Sequence, residues 1–226
     1  MLKSNDIGIN KLADTQYPIH DLLRQRWSPL AFSERMVEPE KLCSVLEAAR
    51  WAASSYNEQP WSFIVATKDN QGEFERLLGC LAEGNQEWAK NAPVLMISVA
   101  KLSFERNGVE NRHAFHDVGA AVASLAIQAT ALELFIHQMA GFDVPKAKEV
   151  YGITEGYEPV EAILLCPSGR LRQRSRRSAR ALGYIGNPET LSEKLLQPEQ
   201  APRTRKPLEE FVFSGSWKNA SPLVIG

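Results

Sequence analysis

Residues Trp51 to Val65 read WAASSYNEQPWSFIV, a run in which a helical pattern gives way to small and polar residues and then to an apolar strand pattern. Asn57, Gln59, Pro60 and Trp61 stand at the join. Connections between rigid elements are where side chains with binding roles concentrate. Upstream, Pro39 to Ala53 opens with Pro and Glu and sets Leu42, Leu46, Ala49 and Ala53 on one stripe, which predicts a helix. Downstream, Ser62 to Thr67 is rich in β-branched and aromatic residues and predicts a short strand.

Outward from this core, Pro18 to Arg26 has Ile19, Leu22 and Leu23 at helical spacing. Glu73 to Leu81 predicts a helix, the polar segment EGNQEWAKNAP leads into a strand over Val94 to Ala100, and Leu102 to Arg112 is a polar excursion, expected to be mobile. Phe115 to Met139 is apolar on nearly every face and predicts one long buried helix. Ser124, Gln128, Thr130 and Glu133 interrupt it, which argues against a membrane span. A short helix over Pro145 to Val150 capped by Asp143, a strand over Val160 to Cys166 and a helical run near Leu191 to Leu196 follow. The pattern predicts an α+β fold with helices on a small central sheet.

With 226 residues, 44% of them apolar and 23% charged, the chain is long enough for one sizeable core, and two domains remain open. Its 26 basic residues against 27 acidic ones exclude a general attraction to nucleic acid or anionic lipid. Cys43, Cys80 and Cys166 show no paired spacing, sit in apolar contexts and read as small buried hydrophobes in a reducing, cytoplasmic setting. The first residues lack the apolar stretch and cleavage site of a signal peptide.

Several groups of residues carry chemistry. Arg24, Arg26 and Ser28 offer guanidinium forks and a hydroxyl suited to a phosphate, although solvated arginines at a helix end explain them as well. Asn57 and Gln59 present the paired donors and acceptors that a planar heterocycle requires, beside the hydroxyls of Ser54 and Ser55; satisfaction of turn backbone is the competing explanation. Gly141 allows close backbone approach to a ligand or simply caps an element. Arg203, Arg205 and Lys206 form a late basic cluster able to close over a phosphate or to remain a solvated face. His113 and His116 lack further ligands at metal-site spacing, so no metal is assigned. Six arginines between Arg170 and Arg180 are compatible with nucleic acid, but no aromatic is interleaved for stacking, and that partner is disfavoured. There is no Gly-rich dinucleotide fingerprint, P-loop or nucleophile elbow.

In their order, these pieces resemble the nitroreductase family of FMN-dependent NAD(P)H oxidoreductases: R-x-S at Arg26 and Ser28, SS-x-N-x-QPW from Ser54 to Trp61 followed by FIV, A-P-V at Ala92, D-x-G-x-A from Asp117, a Gly-Phe turn, and a late R-x-R before PLEE. The resemblance covers about residues 18 to 213 and implies a nitroreductase-like α+β fold with a central, mostly antiparallel sheet surrounded by helices. It implies a homodimer with two FMN sites at the subunit interface, each flavin contacted by both chains. Residues 1–226 are then expected to form a single domain, with 1–17 and 197–226 as terminal extensions. Carried over, Arg26 and Ser28 meet the ribityl phosphate with Trp27 contributing backbone, and Arg203 and Arg205 complete the clamp. Ser54, Ser55 and Asn57 lie along the flavin, Gln59 and Trp61 support that loop, Asn85 is a ring contact, and Ala140 and Gly141 present backbone amides to the flavin edge. Leu30 stands where many relatives carry a basic residue, which shifts weight to Arg24 and the tail; Ala140 replaces an acidic residue of several relatives. The implied reaction is ping-pong, with NADH or NADPH as donor and a nitroaromatic, quinone or similar small molecule as acceptor, and no catalytic side chain is demanded. A family member that dehalogenates, desaturates or cleaves flavin, and a binding module using the arginine run, are the alternatives.

Overall fold

The computed structural model describes residues 11–33, 35–167, 191–219 and 221–223, so the run Arg170 to Arg180 lies outside the described residues. In chain order the elements are α1 (Asp21–Gln25), α2 (Pro39–Arg50), β1 (Trp61–Thr67), α3 (Gln71–Leu78), α4 (Glu83–Ala89), β2 (Val94–Lys101), α5 (Ala114–Ala131), β3 (Leu134–Met139), α6 (Val144–Tyr151), β4 (Tyr157–Pro167) and α7 (Glu193–Gln200). The four strands form one sheet in the order β1-β2-β4-β3, and every neighbouring pair is antiparallel.

Both faces of this sheet are covered. On one, Val94, Met96, Ile163 and Leu165 pack with Val45 and Ala49 of α2 and Val118, Val122 and Leu125 of α5. On the other, Leu95, Ile97, Leu164 and Phe135 pack with Phe74 and Leu77 of α3 and Trp88 of α4. Because successive strand side chains point to opposite faces, double coverage demands an unbroken apolar run. Strand β2, VLMISVAK, meets that demand save at Ser98, with Val94 to Ala100 all buried. A register shift between Ser98 and Val99 marks a bulge opposite β4.

Three helix starts have a local cause. Pro39 occupies the first turn of α2, where its missing N–H costs nothing. Asp143 caps α6 by accepting the Lys146 N–H at 2.9 Å, as its position predicts. Helix α1 starts later than Pro18, at Asp21, because the His20 imidazole accepts the Leu22 N–H at 3.2 Å and caps it there.

Four expectations need correction. The run Phe115 to Met139 is not one helix: α5 ends at Ala131, Glu133 turns the chain with φ 61°, and Leu134 to Met139 form an edge strand against β4. A six-residue apolar run fits either period, and pairing such as Ile136 with Leu165 decides it. The segment EGNQEWAKNAP contains α4, formed because Trp88 and Ala89 are buried by one side of it. The Leu102 to Arg112 excursion is a closed turn with Ser103 paired to Glu110, the Phe104 N–H donating to Val109 O at 2.8 Å, and Gly108 at φ 70°. Cys43 is exposed on α2, whereas Cys80 and Cys166 are buried.

Candidate functional site

The C-terminal end of α1 releases the chain into extended backbone at Arg26, so successive side chains diverge. Trp27 turns inward, 7% exposed, and meets Phe135 of β3 edge-on at 6.4 Å. Arg26 and Ser28 are left at the surface of a cleft, with Arg26 Nη1 donating to Ser28 Oγ at 3.4 Å. The carbonyl of Pro29 accepts from His137 Nδ1 at 2.7 Å, which fixes this segment to β3.

The opposite wall comes from the other end of the chain. Helix α7 delivers Glu199, whose Oε2 accepts the Leu30 N–H at 2.8 Å, and the segment beyond it supplies Arg203 and Arg205. Arg203 Nη1 donates to the carbonyls of Lys11 at 2.9 Å and Arg24 at 3.1 Å, and Lys11 Nζ donates to Ala201 O at 2.6 Å. The result is a cleft of about 250 Å³ bordered by Arg26, Ser28, His137, Glu199, Arg203 and Arg205.

The electrostatics of this cleft are unbalanced. Burial and the nearby Arg205 charge lower the Arg26 pKa, while burial, Arg26 and Arg205 lower that of Arg203. Among the described residues, none of the three enters an ion pair with a carboxylate. Three like charges held together, none of them paired with a carboxylate among the described residues, raise the energy of the free site, and anion binding lowers it. Burial also lowers the His137 pKa, opposed by its hydrogen bond to Pro29 and reinforced by Arg26. The bond to a carbonyl oxygen makes Nδ1 the donor in either protonation state of the ring.

A second group adjoins the first through α4. Trp88 packs on the His137 ring at 4.7 Å, and Asn85, three positions earlier on the same helical face, donates through Nδ2 to Gly141 O at 2.8 Å. The Ala82 N–H donates to the same carbonyl at 3.0 Å. A Cβ on Gly141 would stand 2.6 Å from Asn85 Nδ2, so the close approach of this turn requires glycine unless Asn85 moves. Ala140 and Gly141 are both exposed, and they follow a strand where a helix was expected.

The third group is the loop that joins α2 to β1. Tyr56, Asn57 and Gln59 have φ of 53°, 58° and 52°, three left-handed non-glycine residues in four positions. Each costs of order 1–3 kcal/mol and persists only where surroundings enforce it. Here the buried Asp117 of α5 accepts the Ser55 N–H at 3.0 Å, Ser54 Oγ accepts the Gln59 N–H at 3.0 Å, and Glu58 accepts the Glu105 N–H at 2.7 Å. Tyr56 stands edge-on to Phe104, with the Arg106 guanidinium 4.2 Å from the Tyr56 ring centre. The Gln59 amide donates to Asn57 O at 3.2 Å, a turn-supporting role, whereas the Asn57 side chain is exposed.

The expected site residues thus fall into separate places. Arg26, Trp27, Ser28, Arg203 and Arg205 border one cleft, and Asn85, Ala140 and Gly141 lie beyond its His137 wall. Arg24 does not border it: its Nε donates to Ala13 O at 3.4 Å and its side chain is exposed. Ser54, Ser55, Asn57 and Gln59 lie before β1, at the edge of the sheet opposite β3. Three strand spacings, roughly 14 Å, separate those edges. Lys11, His137 and Glu199 carry no signal in the sequence: Lys11 and Glu199 sit in polar segments without a distinguishing spacing, and His137 lies within the apolar run that reads as one helix.

Known proteins share the sequence pattern and the fold. The Nitroreductase family model matches residues 23–170. A crystal structure of an oxidoreductase containing FMN is 30% identical, covering 91% of this chain and 96% of its own, with a TM-score of 0.78. The uncharacterized 15.4 kDa protein in the ask 5′ region of Mycolicibacterium smegmatis is 30% identical over 65% of this chain and 85% of that protein. The major NAD(P)H-flavin oxidoreductase of Aliivibrio fischeri is 33% identical over 90 residues, 39% of this chain and 41% of that protein. A nitroreductase family protein from Clostridium difficile 630, 22% identical over 76% of this chain and 96% of its own with a TM-score of 0.56, shares the fold. With its sheet, its helices and most of its length matched, the chain belongs to the nitroreductase family.

Proposed function

We propose that this chain is an FMN-dependent oxidoreductase of the cytoplasm that takes hydride from NADH or NADPH and passes it to a nitroaromatic, quinone or similar small acceptor in ping-pong fashion. The observation that carries the reading is the cluster of Arg26, Arg203 and Arg205 beside Ser28, none of these arginines being ion-paired to a carboxylate among the described residues. Its donor set fits a terminal phosphate: guanidinium forks and one hydroxyl, each charge-assisted bond contributing about 1.5–3 kcal/mol. FMN carries such a phosphate on its ribityl chain. Ser28 and Arg26 would hold it from one side and the C-terminal arm from the other.

Beyond the phosphate, the His137 and Trp88 wall leads to Asn85 and Gly141, whose exposed turn offers backbone to a ring system. The strained Ser54–Gln59 loop lies at the opposite sheet edge and reaches a flavin only if a second chain supplies it, which favours a homodimer with composite sites. When bound, FMN supplies the hydride-accepting and hydride-donating centre; the protein binds, orients and shields it. No acid or base side chain is assigned.

The test is anaerobic mixing of the FMN-loaded protein with NADH or NADPH, followed by a quinone or nitroaromatic. Bleaching of the flavin by at least one nucleotide, and recovery of colour with the acceptor, is the expected result. A flavin that neither nucleotide bleaches would remove the reductase reading and leave other flavin chemistry.

A further inference from the structure

We infer that Glu199 is a positioning residue of the arginine cleft: its carboxylate latches the C-terminal arm onto the Arg26–Leu30 segment and so brings Arg203 and Arg205 to face Arg26. The inference rests on the phosphate reading of the cleft.

Helix α7 is polar, and its one buried residue is Glu199, 1% exposed. Helices ordinarily dock through apolar side chains; here Leu195, and Leu191 just before the helix, are only partly buried against the core. The buried tie is the Glu199 Oε2 bond to the Leu30 N–H, across 169 positions of sequence. Around it, Lys11 Nζ donates to Ala201 O while Arg203 donates to the carbonyls of Lys11 and Arg24. Three remote segments are therefore bound together at the rim of the cleft, and the two arginines follow Glu199 by four and six positions.

A buried carboxylate is a costly anchor unless charge and hydrogen bonds offset its desolvation. Burial raises the Glu199 pKa, while the Leu30 and Ala31 amides and the Lys11 charge oppose that rise. Among the described residues, its other oxygen, Oε1, and the Trp27 Nε1 that borders the same cleft have no hydrogen-bond partner. A plain apolar contact would dock α7 without these costs; what the carboxylate adds is a directional bond to the very segment that carries Arg26 and Ser28. Anion binding and arm docking then reinforce each other, because both close the same two walls.

The test compares FMN with riboflavin, which lacks the phosphate, by fluorescence titration of the full chain. A Glu199→Ala variant is expected to bind FMN about 30-fold more weakly, the equivalent of one lost bond to a charged group, with riboflavin affinity unchanged. Glu199→Gln keeps an acceptor for Leu30 and restores most of the loss. Equal weakening of both flavins, an unchanged Ala variant, or a Gln variant as poor as Ala would each overturn the latch. Should the Ala variant not fold, amide exchange of Leu30 in the parent chain decides: slowing by FMN and not by riboflavin supports the latch, and any other pattern refutes it. A parent chain that takes up neither flavin refutes the FMN reading alone. Inorganic pyrophosphate then serves as the probe, and thermal stabilisation equal in parent and Glu199→Gln but lost in Glu199→Ala supports the latch, while equal stabilisation of all three overturns it.

Discussion

At the scale of single residues, Gly141 and Asn85 form the sharpest pair. Gly141→Ala places a methyl 2.6 Å from Asn85 Nδ2 and breaks the bond from that amide to Gly141 O. A loss of about 1–2 kcal/mol is expected from the lost bond and displaced side chain. In an Asn85→Ala background the clash is gone, so the same substitution should cost less; denaturant unfolding of the four-member cycle measures the coupling. Asp117 is the other telling residue. Asp117→Ala leaves the Ser55 N–H without its acceptor and frees a loop that holds three left-handed residues, and a destabilisation of about 1–3 kcal/mol is expected in thermal or denaturant melts.

Elements differ in how far the chain reveals them. Helix α2 follows from its apolar stripe, and strand β2 from the shortness of its apolar run and the Pro93 and polar residues that bound it. Strand β3 did not, because LFIHQM extends the apolar run of α5 and only its pairing with β4 distinguishes the two. Leu125→Ala, at the fully buried centre of α5, should cost about 2–5 kcal/mol. On β4, burial raises the Glu161 pKa from 4.5 to about 6. The folded chain keeps that proton where the unfolded chain releases it, so the stabilisation is complete below pH 4.5 and lost as pH rises through about 6. Glu161→Gln is expected to melt higher relative to the parent above pH 6 than at pH 4, and a constant difference across that range would refute the assignment.

For the whole molecule, the candidate site is legible where one short motif carries it and obscure where the fold assembles it. Arg26 with Ser28, and the SSYNEQPW loop, stand out in the sequence because arginine, hydroxyl and amide groups crowd into few positions. Lys11, Glu199 and the engagement of Arg203 with two carbonyls emerge only when the two ends of the chain meet. Among the described residues no helix is long and apolar enough to cross a membrane. The proposed sharing of a flavin between two chains predicts that the loop variant Asn57→Ala in one subunit complements Arg26→Ala in the other. Mixed dimers of the two should recover one intact FMN site, whereas neither parent variant alone retains full affinity.

Arg26, Ser28, Arg203 and Arg205 are proposed to hold a flavin through its phosphate. Titration of FMN and riboflavin into the parent and into Arg26→Ala tests it most directly. The parent should bind FMN well above riboflavin, and Arg26→Ala should weaken FMN alone, by about 2 kcal/mol for one charge-assisted bond. A parent that binds no FMN, or a variant that binds it as tightly as the parent, would contradict the assignment.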